Sequence, residues 1–150
     1  MSVSFPSQFF KNNRERLVNS TTAFLVIAIA NGRIQRNGDN TYPFRQDSNY
    51  WYLTGLEYPD IIWVFDKSID EEYLILPERS EAEGIFDGDY AIDEIKKQTG
   101  INHVLSHKEG WTWLKEAVAR RPKVATLHAP PDHLDVFSMY TNPSRRLLSR

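Results

Sequence analysis

His103 and His107 stand four residues apart, a spacing that on one helix face would bring two imidazoles together as a metal pair. Gly100 and Ser106 point elsewhere, placing His103 on a strand and His107 at a helix start, with no carboxylate nearby on a matching face. Both therefore read as surface or packing histidines, as do His128 and His133, which flank a double proline. Asp87-Gly88-Asp89 has the form of a calcium-loop fragment. No Glu closes such a loop, so a turn followed by a helix cap accounts for it. Glu78, Glu81 and Glu83 beside Arg79 read as a solvated charged face. There is no Gly-rich phosphate loop, no His-Glu-x-x-His and no Gly-x-Ser-x-Gly elbow. The absence of cysteine excludes thiol nucleophiles, disulfides and thiolate metal sites.

Bulk properties narrow the partners further. The 150 residues suit one domain, 1–150, large enough to bury roughly two-thirds of its unfolded surface. Eighteen basic residues nearly balance 20 acidic ones, for a net charge of −2, so no strong field draws the chain to nucleic acid or an anionic membrane. The longest apolar run, Ala23 to Ala30, is far short of the roughly 20 residues a bilayer span needs. Met1 to Ser20 has no signal-peptide pattern. A soluble chain follows, and the missing cysteines fit the expected cytoplasmic location.

The elements that must position any site alternate between strand and helix. Ser7 is placed to cap a first helix whose stripe is Phe10, Arg14 and Leu17, with Asn12, Asn13 and Glu15 off it and an end near Asn19–Ser20. Ala23 to Ala30 reads as a central strand buried on both faces. Asn31-Gly32 and Asn37-Gly38-Asp39 are turn formers around a polar loop or short hairpin. Asp47 or Ser48 caps a short helix through Tyr50, Trp51 and Leu53, and Gly55 suits a left-handed C-terminal cap. Ile61 to Phe65 and Tyr73 to Leu76 read as a strand pair joined through Asp66 to Asp70. Asp89 opens a helix with the stripe Ala91, Ile92 and Ile95, stopped by Gly100. His103 to Leu105 is a short strand, and Ser106 precedes a helix holding Trp111, Leu114 and Val118, closed by Arg120, Arg121 and Pro122. Val124 to Leu127 is another strand, and Asn142-Pro143 opens a last helix containing Leu147 and Leu148. The fold class is α/β, a mixed β-sheet flanked by helices. The aromatics Tyr42, Phe44, Tyr50, Trp51 and Tyr52 read first as core and hydrogen-bonded shell, with a docking surface as the alternative.

One stretch is more specific than its neighbours. It contains Arg36-Asn37-Gly38-Asp39, then Tyr42-Pro43-Phe44-Arg45-Gln46, then Ser48-Asn49-Tyr50-Trp51-Tyr52-Leu53-Thr54-Gly55, followed by Glu57 and Pro59. Physically, Tyr42-Pro43 restricts the chain before an extended entry into a capped helix. Arg45 offers a forked donor that could tie a loop to carboxylates or carbonyls. Together these residues build a rigid, aromatic-rich corner. The stretch closely resembles the signature of the aminopeptidase P (Xaa-Pro aminopeptidase) N-terminal domain, within the creatinase and pita-bread peptidase family. The likeness extends over about Phe9 to Phe65, with the upstream helix of Arg14, Glu15 and Leu17 included. Beyond that it keeps only the order of elements.

The resemblance implies a creatinase-like N-terminal domain fold and a parent enzyme of two domains. The C-terminal pita-bread domain would hold two divalent metal ions, usually manganese, on two Asp, one His and two Glu. A metal-bridged hydroxide would then release an N-terminal residue preceding proline from a peptide substrate. The N-terminal domain would shape the cleft and take part in homo-oligomer contacts, its main partner being the parent's own catalytic domain. None of the five ligands can be assigned to this sequence, so the chain alone is expected to hold no metal and to be inactive. A further strand and a linker are expected after Arg150. Where the family tends to have a Trp followed by Gly and Arg, the run here is Gly84-Ile85-Phe86-Asp87-Gly88-Asp89, which leaves substrate preference open. By the same resemblance, Arg36, Asp39, Tyr50, Trp51 and Phe86 are the candidates for the cleft or an interface. The competing reading is a stand-alone protein- or peptide-binding module that keeps the fold without the peptidase.

Overall fold

A computed structural model describes residues 4–79 and 90–127. Leu25–Ile29 forms β1, and all five of its residues are buried. A strand alternates its side chains between two faces. Leu25, Ile27 and Ile29 therefore enter one apolar cluster, and Val26 and Ala28 the other. That division explains why the run is continuously apolar: it has no solvent face.

Around β1 a five-stranded sheet assembles in the order β6-β5-β4-β1-β7. β4 (Ile62–Asp66) lies antiparallel to β1, and β5 (Glu71–Ile75) antiparallel to β4. Two outer strands, β6 (His103–Leu105) and β7 (Val124–Thr126), run parallel to β5 and β1 respectively. β4 is thus the middle strand and β1 its neighbour. Helices α1 (Ser7–Ser20), α2 (Ser48–Thr54) and α3 (Ile92–Thr99) supply Val18, Tyr50, Leu53 and Ile95 to one face. Helix α4 (His107–Arg120) covers the other with Leu114 and Ala117. The mixed sheet flanked by helices is the expected class. A separate two-stranded hairpin, β2 (Gln35–Asn37) with β3 (Asn40–Thr41), completes the described elements.

Several local expectations change. Ser7 does not cap α1. It is the first helical residue, after extended Pro6, whose carbonyl accepts from Phe9 N at 2.9 Å. Asn13 is buried, because its Nδ2 donates to the Tyr52 carbonyl at 2.8 Å where α1 meets α2. In α3 the buried positions are Ile95 and Thr99, while Ile92 is exposed. In α4 the buried row is Gly110, Leu114 and Ala117, and Val118 is exposed. The cause is close approach: a Cβ on Gly110 would lie 2.5 Å from Ile75 Cγ2, so the helix rests on that row. The Asn142-Pro143 helix with Leu147 and Leu148 lies outside the described residues, as do Asp89, Glu81, Glu83, His128 and His133.

Candidate functional site

The signature stretch forms a hairpin arm and the corner that carries it. Just past the end of β1, Ala30 N donates to Ile61 O at 3.0 Å and Asp60 N to Asn31 O at 3.1 Å. The chain then leaves the body, turns through Gly38-Asp39 between β2 and β3, and returns along Pro43 to Gln46. Asp47 caps α2 by accepting from Tyr50 N at 2.9 Å. Gly55 ends the helix in the left-handed region at φ 71°, its N–H donating to Trp51 O at 2.7 Å. Both caps are as expected, with Asp47 taking the role over Ser48.

Gln46 joins the corner. Its Oε1 accepts from Asn31 N and from Asp47 N, each at 3.0 Å. Its Nε2 donates to Leu56 O at 3.0 Å and Tyr58 O at 2.9 Å. The tie assigned to Arg45 is therefore made next door. The Arg45 side chain is exposed, and only its carbonyl joins in, accepting from Asn31 Nδ2 at 3.1 Å. A groove of about 430 Å³ lies between the arm's root and the corner, lined by Asn31, Ile34, Phe44 and Arg45 among others. A second of about 270 Å³ shares Phe44, Arg45 and Gln46 and reaches Trp51 and Glu57.

The sequence candidates divide among three places. Arg36 and Asp39 sit together on the exposed arm, with the Arg36 guanidinium 5.8 Å from the Tyr42 ring centroid. Trp51 is half-buried at the second groove, edge-on to Phe5 at 5.7 Å and Phe10 at 5.6 Å. Tyr50 is in the core, fully buried beside Leu53, Leu56 and Trp63, so it faces no cleft from this domain. Burial pushes the ionisation of its hydroxyl far above the usual phenol range. Phe86 lies outside the described residues. Of the aromatic cluster, only Tyr50 is core: Tyr42 and Tyr52 are exposed, and Phe44 and Trp51 half-buried.

His103 and His107 do lie on a strand and at a helix start. Each has a carboxylate beside it, which sequence reasoning did not find: Glu71 lies 2.7 Å from His103 Nε2, and Glu78 lies 3.8 Å from His107 Nε2. The Glu71–His103 pair arises because β5 and β6 run in register, Tyr73 against His103. Among the described residues, no three His, Cys, Asp or Glu side chains converge to hold a metal ion. The described residues thus do not fit the two-metal group. Nor is any helix among them long and apolar enough to cross a membrane.

Comparison with known proteins agrees with the architecture. The aminopeptidase P N-terminal domain family matches residues 10–127, the whole described sheet with its helices. The chain belongs to that family. As an aminopeptidase P N-terminal domain, it is 28% identical over 137 residues to a Haemophilus influenzae Xaa-Pro aminopeptidase, covering 87% of this chain and 31% of that protein. It is 36% identical over 66 residues to an Escherichia coli Xaa-Pro aminopeptidase, covering 42% of this chain and 14% of the relative. A solved structure of a candidate aminopeptidase P from Bacillus anthracis superposes with a TM-score of 0.80 at 20% identity, over 97% of this chain and 35% of that one. At that identity the likeness speaks to fold alone. The chain spans about a third of the length of the Haemophilus relative it matches, and it corresponds to the N-terminal domain of such proteins.

Proposed function

We propose that this domain serves a two-metal Xaa-Pro aminopeptidase, shaping the substrate cleft and contributing oligomer contacts. A C-terminal catalytic domain of the same parent protein would carry two divalent ions, manganese in the first instance, and release N-terminal residues preceding proline. The observation that carries this reading is the family match over residues 10–127, together with relatives roughly three times as long as the matched part. The domain's own contribution falls to the arm and corner: Arg36 and Asp39 reach outward, and Trp51 borders the adjoining groove. Phe86 is retained as a candidate on sequence grounds. In this reading residues 1–150 form one domain, and their lack of cysteine is compatible with a cytoplasmic location.

The test starts with the reading frame of the source gene beyond Arg150. A frame continuing for some 250 residues and supplying two Asp, a His and two Glu in order is the expected result. That longer protein, given Mn²⁺, should cleave a peptide with proline in second position, and the 150-residue chain should not. A frame that stops at Arg150, or a longer protein inert toward such peptides, would overturn the enzyme reading in favour of a binding module.

A further inference from the structure

The β2–β3 arm has little support of its own. Residues 33–43 are all exposed, and among the described residues the two strands pair only with each other. A lone two-stranded hairpin is marginally stable in water. Its root, where the chain leaves at Asn31 and returns at Arg45, is one place where its direction is set.

Both sides of that root are held by one side chain. Gln46 is 8% exposed, and its amide uses its full capacity of two accepted and two donated hydrogen bonds. It binds the outgoing segment at Asn31 N, the start of α2 at Asp47 N, and the loop after α2 at Leu56 O and Tyr58 O. Asn31 Nδ2 closes the root directly onto Arg45 O. No shorter or charged side chain reproduces this set. Glu would place lone pairs against two carbonyls, and Met would leave two N–H and two C=O groups without partners in a nearly closed site.

We propose that Gln46 is a positioning residue, whose amide sets the arm, and with it Arg36 and Asp39, against the body of the domain. Its consequence for turnover rests on the proposed function above; the clamp itself rests on the geometry alone.

The 150-residue chain tests the clamp by amide hydrogen exchange. In Gln46→Met, exchange at Asn31 and Asp47 should accelerate by about tenfold or more, and Tyr42 N, bonded to Ile34 O in the arm, should follow. Amides of β1 and β4 should keep the protection that global stability dictates. Unchanged rates at Asn31 and Asp47, or a uniform acceleration across the sheet, would refute the clamp. If Gln46→Met does not fold, Gln46→Glu replaces it. Arm protection in that variant should rise as pH falls through the glutamate's titration, since the protonated acid regains a donor; a flat profile refutes the proposal. In the longer enzyme, Gln46→Glu should lower kcat/KM at neutral pH and recover part of it on acidification. A wild-type enzyme that cleaves and a variant that cleaves equally at every pH would remove the role in turnover. A wild-type protein that does not cleave at all would remove the proposed function instead, leaving exchange to decide on Gln46.

Discussion

Arg14 and Glu72, 58 residues apart, meet in a two-point ion pair beneath the helices: Nε donates to Oε2 at 2.8 Å and Nη2 to Oε1 at 3.1 Å. Two further Arg14 N–H groups close the ends of two helices, reaching Leu53 O and Thr99 O, both at 2.8 Å. Glu72 also accepts from Trp63 Nε1 at 3.0 Å. One guanidinium thus ties α1, α2, α3 and the sheet together, using the planar fork that only Arg offers. Replacing Arg14 with Met should cost about 3–5 kcal/mol, because it strands a partly buried carboxylate and two carbonyls. Lys should recover little of it. Urea unfolding of the three proteins measures this, and a loss under about 1 kcal/mol for Arg14→Met would show that the hub contributes little.

Asp66 makes stability depend on acid. Burial raises its carboxyl's ionisation, but hydrogen bonds from Arg121 at 2.6 Å and from the Ser68 hydroxyl and amide outweigh that and hold it below the usual carboxylate value. A group depressed in the folded state contributes stability that is fully present above its unfolded value, about 3.9, and lost as pH falls through its folded one. Asp66→Asn should therefore be less stable than wild type at neutral pH, with a flatter stability profile below about pH 4. Denaturation midpoints measured against pH settle this; parallel curves would rule out Asp66 as the source.

Gly55 is held by conformation and by space. Its φ is 71°, and a Cβ there would lie 2.5 Å from Phe10 Cζ, at the contact of α2 with α1. Gly55→Ala should lose at least about 2 kcal/mol through left-handed strain and overpacking. At Gly38, in the arm's turn, nothing stands within 4 Å of a built Cβ, so Gly38→Ala serves as the control with little effect. Equal thermal midpoints for the two variants would contradict this account.

Asp39 is exposed at the tip of the arm. In the longer enzyme proposed above, Asp39→Ala should lower turnover well beyond any loss of stability. Activity per folded molecule equal to wild type would remove Asp39 from the cleft.

Elements with local causes were legible in the sequence. The apolar run of β1, the Asp47 and Gly55 caps of α2, the Ser106 cap of α4 and the β4–β5 hairpin all arise from residues near one another in the chain. The family was legible for a related reason: its signature concentrates in one local corner from Arg36 to Gly55. The stripes of α1, α3 and α4 were read only in part. Which row of a helix is buried depends on what it meets, such as Ile75 beneath Gly110, and periodicity alone cannot say that.

The sequence by itself determined the α/β class, the strand with no solvent face and the membership in a peptidase N-terminal domain family. The first two follow from composition, spacing and short-range turn chemistry, and the third from the resemblance of the stretch Arg36 to Gly55 to that family's signature. Only the tertiary structure decided that Arg14, in the stripe between Phe10 and Leu17, is the hub, that Gln46 rather than Arg45 holds the arm, that Tyr50 is core, and that Glu71 stands beside His103. Each depends on a partner that strand register or helix packing brings in from many residues away. A polar side chain's role is set by the groups that come to face it, and those are fixed when the chain closes on itself.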